Sequence, residues 1–255
     1  MIVQNSGDLY SKSLADKFRD SFKGDEDVIN FAQGSSLVDT PPGTQKASSP
    51  DRLAGQVCTA LQKNPATVVY WTSRARDFTA FANAWDAKGT CGENRLTVLG
   101  GNELTNVALT GEYHNKTWLR LYHSAHRLPE GDPHVSEKTQ DFINGYHRTY
   151  PKDPWLQDGQ SAVAYDAFHA LSMAADDAHA GAFVDRDALV TGLKSGERFD
   201  GATGFVDFSA DSNEPPQHKT LVILKQAPEG PRTVVVCGAY GPSAEPGKQG
   251  APCPH

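Results

Sequence analysis

The chain has 255 residues, 38% of them hydrophobic, and a formal charge of −7, so it can bury one large core or two small ones. Its Lys and Arg residues are scattered, which excludes the basic face that a nucleic acid or an anionic membrane requires. No run approaches the roughly 20 apolar residues that cross a bilayer, and the N-terminus lacks the basic-then-apolar layout of a signal peptide.

In chain order, "MIVQ" reads as a strand and "DLYSKSLADKFRDSF" as a helix, with Tyr10, Leu14, Phe18 and Phe22 at a spacing of four. "VINFA" is a second strand. The long polar connection "QGSSLVDTPPGTQKASSPD" leads to the helix "RLAGQVCTALQ", apolar at Leu53, Val57 and Leu61. Residues Thr67 to Trp71 form a third strand, followed by the polar elbow Thr72-Ser73-Arg74 and a helix with Phe78, Phe81, Ala82 and Trp85 on one side. "LTVLG" with "NELTNVAL" is the fourth unit and "TWLRLY" a fifth strand. Strand alternating with helix implies an α/β fold with a parallel sheet and helices on its faces.

Polar residues recur at the strand ends: Asn5 and Ser6, Gln33 and Ser35, Thr72 and Ser73, Asn102 and Glu103. Parallel strands place all of them on one edge, where open α/β sheets bind ligands. Each also has a plain structural use. Thr72 or Ser73 can cap the helix that follows, Glu103 can complement a helix dipole, and Tyr10 can continue the core stripe of its helix. Arg74 and Arg76 read as solvated.

After Tyr122 the character changes. "HSAHRLPEGDPHVSE" reads as a polar hinge loop, followed by helices over about Ser136 to Thr149, Gln160 to Ala178 and Asp185 to Leu193. The second of these is expected to bury Val163, Ala167, Leu171 and Ala174. "ATGFVDF" and "KTLVIL" read as strands on either side of the turn "SADSNEPPQH", and "PRTVVVC" as one more before a Pro/Gly-rich tail. Two lobes joined near residues 122 to 130 and 209 to 218 would enclose a cleft.

Catalytic signatures are sparse. There is no G-x-S-x-G elbow, Walker loop or G-x-G-x-x-G fingerprint, so no phosphate-bearing cofactor is expected. His123 and His126 of "HSAH", near Asp132 and His134, are the one arrangement from which a metal-dependent enzyme could be built. Solvated loop histidines are the default reading. The four cysteines, Cys58, Cys91, Cys237 and Cys253, have no metal-ligand spacing. They are either free thiols or two bridges. Right-handed crossovers on adjacent strands can bring Cys58 and Cys91 together, and Cys237 with Cys253 would pin the tail, so sequential pairing and an oxidising compartment are the expectation.

The segments "IVQNSGDLYSKSLADKF", "VVYWTSRARDFTAFANAW", "LTVLGGNELTN", "FINGYHRTYPKDP", "SAVAYDAFHALSMAADDA" and "FDGATGFVDFSADSNE" stand in the order found in type I periplasmic binding proteins. Over most of residues 1 to 225 the chain resembles their branched-chain amino acid receptor branch, the solute-binding subunits of ABC transporters. The Cys58/Cys91 placement is similar to that of actinobacterial members. The resemblance implies a three-layer parallel-sheet lobe over residues 1–122, matching the family's second lobe. It further implies a remnant of the first lobe over 123–215, and a return to the second lobe with the tail over 216–255. It also implies a truncated gene, a misplaced start or a separately encoded first lobe.

By the same resemblance, Ser6, Tyr10, Trp71, Thr72, Ser73, Asn102 and Glu103 are the ligand-binding positions. The acidic position after the fourth strand falls on Asn102 or Glu103. The expected function is non-catalytic, extracytoplasmic binding of an amino acid or related small polar ligand, with an ABC permease as partner, no cofactor and no nucleic acid. The alternatives are a ligand-sensing domain of a membrane-linked regulator and a small α/β metal-dependent enzyme using His123 and His126.

Overall fold

The structure is a computed structural model that describes residues 1–22, 24, 27–31, 49–87, 91, 95–109, 112–113, 115–132, 135–152, 159–177, 185–195, 199–206, 221–227 and 230–237. The chain divides into two units, Met1–Ser124 with Lys225–Arg232, and Ala125–Leu224 with Thr233–His255.

The first unit is built from β1 (Ile2–Asn5), α1 (Leu9–Ser21), β2 (Val28–Phe31), α2 (Pro50–Lys63), β3 (Val68–Trp71), α3 (Ala75–Ala87), β4 (Leu96–Gly100), α4 (Leu104–Leu109) and β5 (Leu119–Ala125). The second holds α5 (Glu137–Thr149), α6 (Gln160–Asp177), α7 (Arg186–Ser195), β6 (Phe199–Gly201) and β7 (Gly204–Val206). β8 (Leu221–Ala227) and β9 (Gly230–Cys237) pass from one unit to the other. The large sheet has the order β2-β1-β3-β4-β5-β8-β9. Its first five strands are parallel, with Ile2 beside both Val28 and Tyr70, Val69 beside Val98, and Gly100 beside His123.

Helix starts follow the capping rule. Asp8, Ser49 and Ser136 each accept a first-turn amide, from Tyr10, Arg52 and Thr139. Alternation along the strands then sorts the side chains. Val3, Val69, Trp71, Leu96 and Val98 meet Leu53, Val57, Leu61, Phe78, Phe81, Trp85, Leu104 and Val107 in one core, on the face covered by α2, α3 and α4. Tyr70 points the other way and stacks on Phe18 of α1, ring centroids 4.3 Å apart. The helices therefore lie on both faces of the sheet. Cys58 of α2 and Cys91 form a disulfide with Cα atoms 5.3 Å apart, as expected. Of the expected Cys237–Cys253 bridge, Cys253 lies outside the described residues.

Three expectations change. β5 runs to Ala125, so the start of the supposed hinge loop, His123 to Ala125, is strand. Of "ATGFVDF", expected as one strand, Ala202–Thr203 form a turn and Gly204–Val206 form β7, which pairs with β6 in an antiparallel hairpin with Gly204 at φ 89°, while β8 joins the large sheet. α6 buries Ala174 as expected, but Ala162, Asp166 and Ala170 are buried in place of Val163, Ala167 and Leu171, each one residue earlier, and Phe168 is 73% exposed.

Asp166 explains why two of the quoted motifs coexist. Its carboxylate accepts from the amides of Ala202 (2.6 Å) and Thr203 (2.8 Å) and from the Thr203 hydroxyl. The Tyr-Asp-Ala helix is thereby clamped to the Phe-Asp-Gly-x-x-Gly turn. A Cβ on Gly201 would meet the Asp166 carboxylate at 2.5 Å, so only glycine admits this approach.

Candidate ligand-binding site

β1 has β2 on one side and β3 on the other. The chain leaves β1 for β2, then crosses back to β3, so the loops after β1 and β3 diverge at a topological switch point, where α/β sheets hold ligands. The polar residues there form two layers.

The inner layer is structural. The Asn5 amide donates to Ser11 Oγ (2.8 Å), Ser11 Oγ lies 3.0 Å from Thr72 Oγ1, and Thr72 Oγ1 reaches the Val3 carbonyl at 3.3 Å. With Thr72 donating to Val3, the Ser11 proton is directed at Thr72. The relay is buried and ties α1 and β3 to the end of β1. Ser73 donates to Asp77 Oδ2 at 2.7 Å, one turn into α3, and is itself buried. The elbow therefore anchors the helix through the Asp77 carboxylate.

The outer layer centres on Arg74. Its Nε donates to Asp8 Oδ2 at 2.9 Å, its Nη1 to Glu103 Oε1 at 3.0 Å, and its Nη2 makes a long 3.5 Å contact with Asp8 Oδ1. The guanidinium lies 4.5 Å from the centroid of the Tyr10 ring. The Tyr10 hydroxyl donates to Asn102 Oδ1 at 3.2 Å. Burial, then the Glu103 charge, push the Tyr10 phenol up, so it stays protonated and acts as the donor. Its close approach depends on Gly101, where a Cβ would sit 2.8 Å from the Tyr10 oxygen. Residues from after β1, β3 and β4 thus converge into one partly exposed cluster of two carboxylates, one guanidinium, a phenol and an amide.

Of the expected ligand positions, Tyr10, Asn102 and Glu103 stand together in this layer, and Ser6 is exposed beside it at the end of β1. Both Asn102, through Tyr10, and Glu103, through Arg74, take part in this cluster. Trp71 is corrected: its ring is fully buried, 5.7 Å from Phe31 and 5.2 Å from both Phe78 and Phe81, and belongs to the core. The Thr72 and Ser73 side chains are likewise committed to the inner layer. Arg74, expected to be solvated, is the hub instead; Asp8 had no expected role. Asp8 carried a signal, an acidic residue just before a helix. For Arg74 the sequence held none, because its partners are 66 and 29 residues away. Gln33 and Ser35 lie outside the described residues.

His123, expected in a polar loop, is also corrected. His123 is fully buried on β5, with Nδ1 3.1 Å from Thr105 Oγ1, and burial pushes its pKa down to about 4. A sealed, neutral imidazole of this kind has no route to a substrate. No group of three or more His, Cys, Asp or Glu that could hold a metal occurs among the described residues, and His134 lies outside them. No described helix is long and apolar enough to cross a membrane.

No protein-family model and no curated protein matches the sequence. Solved structures do. The chain is similar to the branched-chain amino acid transporter substrate-binding protein LivJ of Streptococcus pneumoniae in complex with isoleucine, with TM-score 0.62, 17% identity and 94% of this chain covered. It is similar to a solute-binding protein of an ABC transporter from R. palustris in complex with benzoate, with TM-score 0.65, 16% identity and 95% covered. It is also similar to a fatty acid ABC transporter substrate-binding protein from Thermomonospora curvata, with TM-score 0.61, 15% identity and 93% covered. The chain spans 59%, 59% and 57% of those structures. Its fold is that of the type I periplasmic binding proteins.

Proposed function

We propose that the chain binds a small polar solute, an amino acid or a related molecule, at the switch point of its first unit. It acts as a solute-binding component of an ABC-type transport system, outside the cytoplasm and with a membrane permease as partner. The observation that carries this reading is the convergence of Tyr10, Asn102, Asp8, Arg74 and Glu103 from three strand ends into one accessible cluster. Glu103 keeps lone pairs free for an ammonium group, and Asn102, its carbonyl engaged by Tyr10, keeps its amide donors for a ligand acceptor.

The names of the similar structures support transport rather than catalysis. Among the ligands in those names, isoleucine is the one that this mixed donor and acceptor set matches. The Cys58–Cys91 bridge supports an oxidising compartment. A thermal-shift screen of the proteinogenic amino acids, their amides and simple carboxylates tests the proposal. A rise in melting temperature with one or more amino acids is expected. No shift with any of them, or turnover of one, would contradict it.

A further inference from the structure

Asp8 and Glu103 alone would make an acidic edge open to any amine. Arg74 changes the chemistry. Two carboxylates and one guanidinium leave a single negative charge, which disfavours a ligand that is only an anion. A ligand that is only an amine must compete with the guanidinium already seated on Glu103 Oε1. Arg74 has five N–H groups, of which Asp8 and Glu103 engage three. One N–H on each terminal nitrogen is left, on a side chain that is 40% exposed. The Tyr10 ring at 4.5 Å and the Asp8 carboxylate fix the guanidinium plane, so these donors are held in place before a ligand arrives.

Resting on the ligand site assigned above, we propose that Arg74 is its specificity-determining residue. Its two remaining N–H groups take a carboxylate while Glu103 takes an ammonium, so the first unit by itself recognises both charges of a zwitterion. A lysine could not do this, because a point charge offers no fork to a carboxylate whose register is set by Asp8 and Tyr10.

Isothermal titration of the full chain with two matched trios tests the assignment: leucine, isopentylamine and 4-methylpentanoate; and phenylalanine, phenethylamine and 3-phenylpropionate. At least one amino acid should bind tenfold or more tighter than both of its singly charged counterparts. Arg74→Gln should reduce that amino acid to the affinity of its amine. Arg74→Lys, which keeps the charge and guards against a folding defect in the first variant, should also lose most of the preference. If the amines bind as well as the amino acids in the unaltered chain, the Arg74 assignment is overturned while the ligand site stands. If neither these two nor any other amino acid of the thermal-shift screen binds, the site reading and the assignment fall together.

Discussion

His123 shows how one buried residue sets a response to pH. Its imidazole is sealed on β5 and stays neutral in the fold, with a pKa of about 4 against an ordinary value of 6.5. The unfolded chain therefore binds the extra proton first as pH falls. The stability that His123 contributes is fully present above pH 6.5 and is lost on acidification through pH 4, a change of about 3 kcal/mol. Urea denaturation at several pH values should show stability falling across this window in the natural chain and a shallower fall in His123→Gln. Equal slopes would contradict the burial argument. The same residue illustrates what a sequence conceals. "HSAH" reads as a polar loop because His and Ser are polar, whereas β5 continues through it and hides the imidazole against Thr105.

At the scale of elements, the first five strands and their helices were legible because apolar periodicity switches cleanly between 2 and 3.6 residues. The buried face of α6 was legible only at Ala174, since alanine occurs on several of its sides and gives no contrast; burial of Ala162, Asp166 and Ala170 sets the rest of it. The site divides in the same way. Strand-end positions such as Tyr10 and Glu103 follow from local order, but the Arg74 hub joins segments that meet only in the fold.

Asp166→Ala strips three donors around Ala202 and Thr203 of their acceptor and should cost about 3 kcal/mol, with the β6–β7 hairpin exchanging hydrogen fastest. Unchanged protection of those amides would count against the clamp. Opening the Cys58–Cys91 bridge, which closes a separation of 33 residues, should lower the stability of the first unit by about 3 to 4 kcal/mol. Non-reducing peptide mapping should find the joined peptide, and two alkylatable thiols at these positions would refute the pairing.

Across the whole molecule, α6 presents Tyr165, Phe168 and Leu171 at 51%, 73% and 43% exposure on one side, and Val68 and Phe22 of the first unit are also open. Apolar surface of this kind favours association. Sedimentation velocity should show the isolated chain self-associating, and Phe168→Ser with Leu171→Ser should shift it toward monomer; a monodisperse natural chain would contradict this. In the proposed site, the convergence of Tyr10 and Glu103 at the switch point holds the ligand. The most direct test is isothermal titration of the best amino acid from the thermal-shift screen into the natural chain, Tyr10→Ala and Glu103→Gln, with folding of each variant checked by its melting transition. Either substitution should weaken binding tenfold or more. Undiminished binding in both folded variants would place the ligand elsewhere and contradict the proposed site.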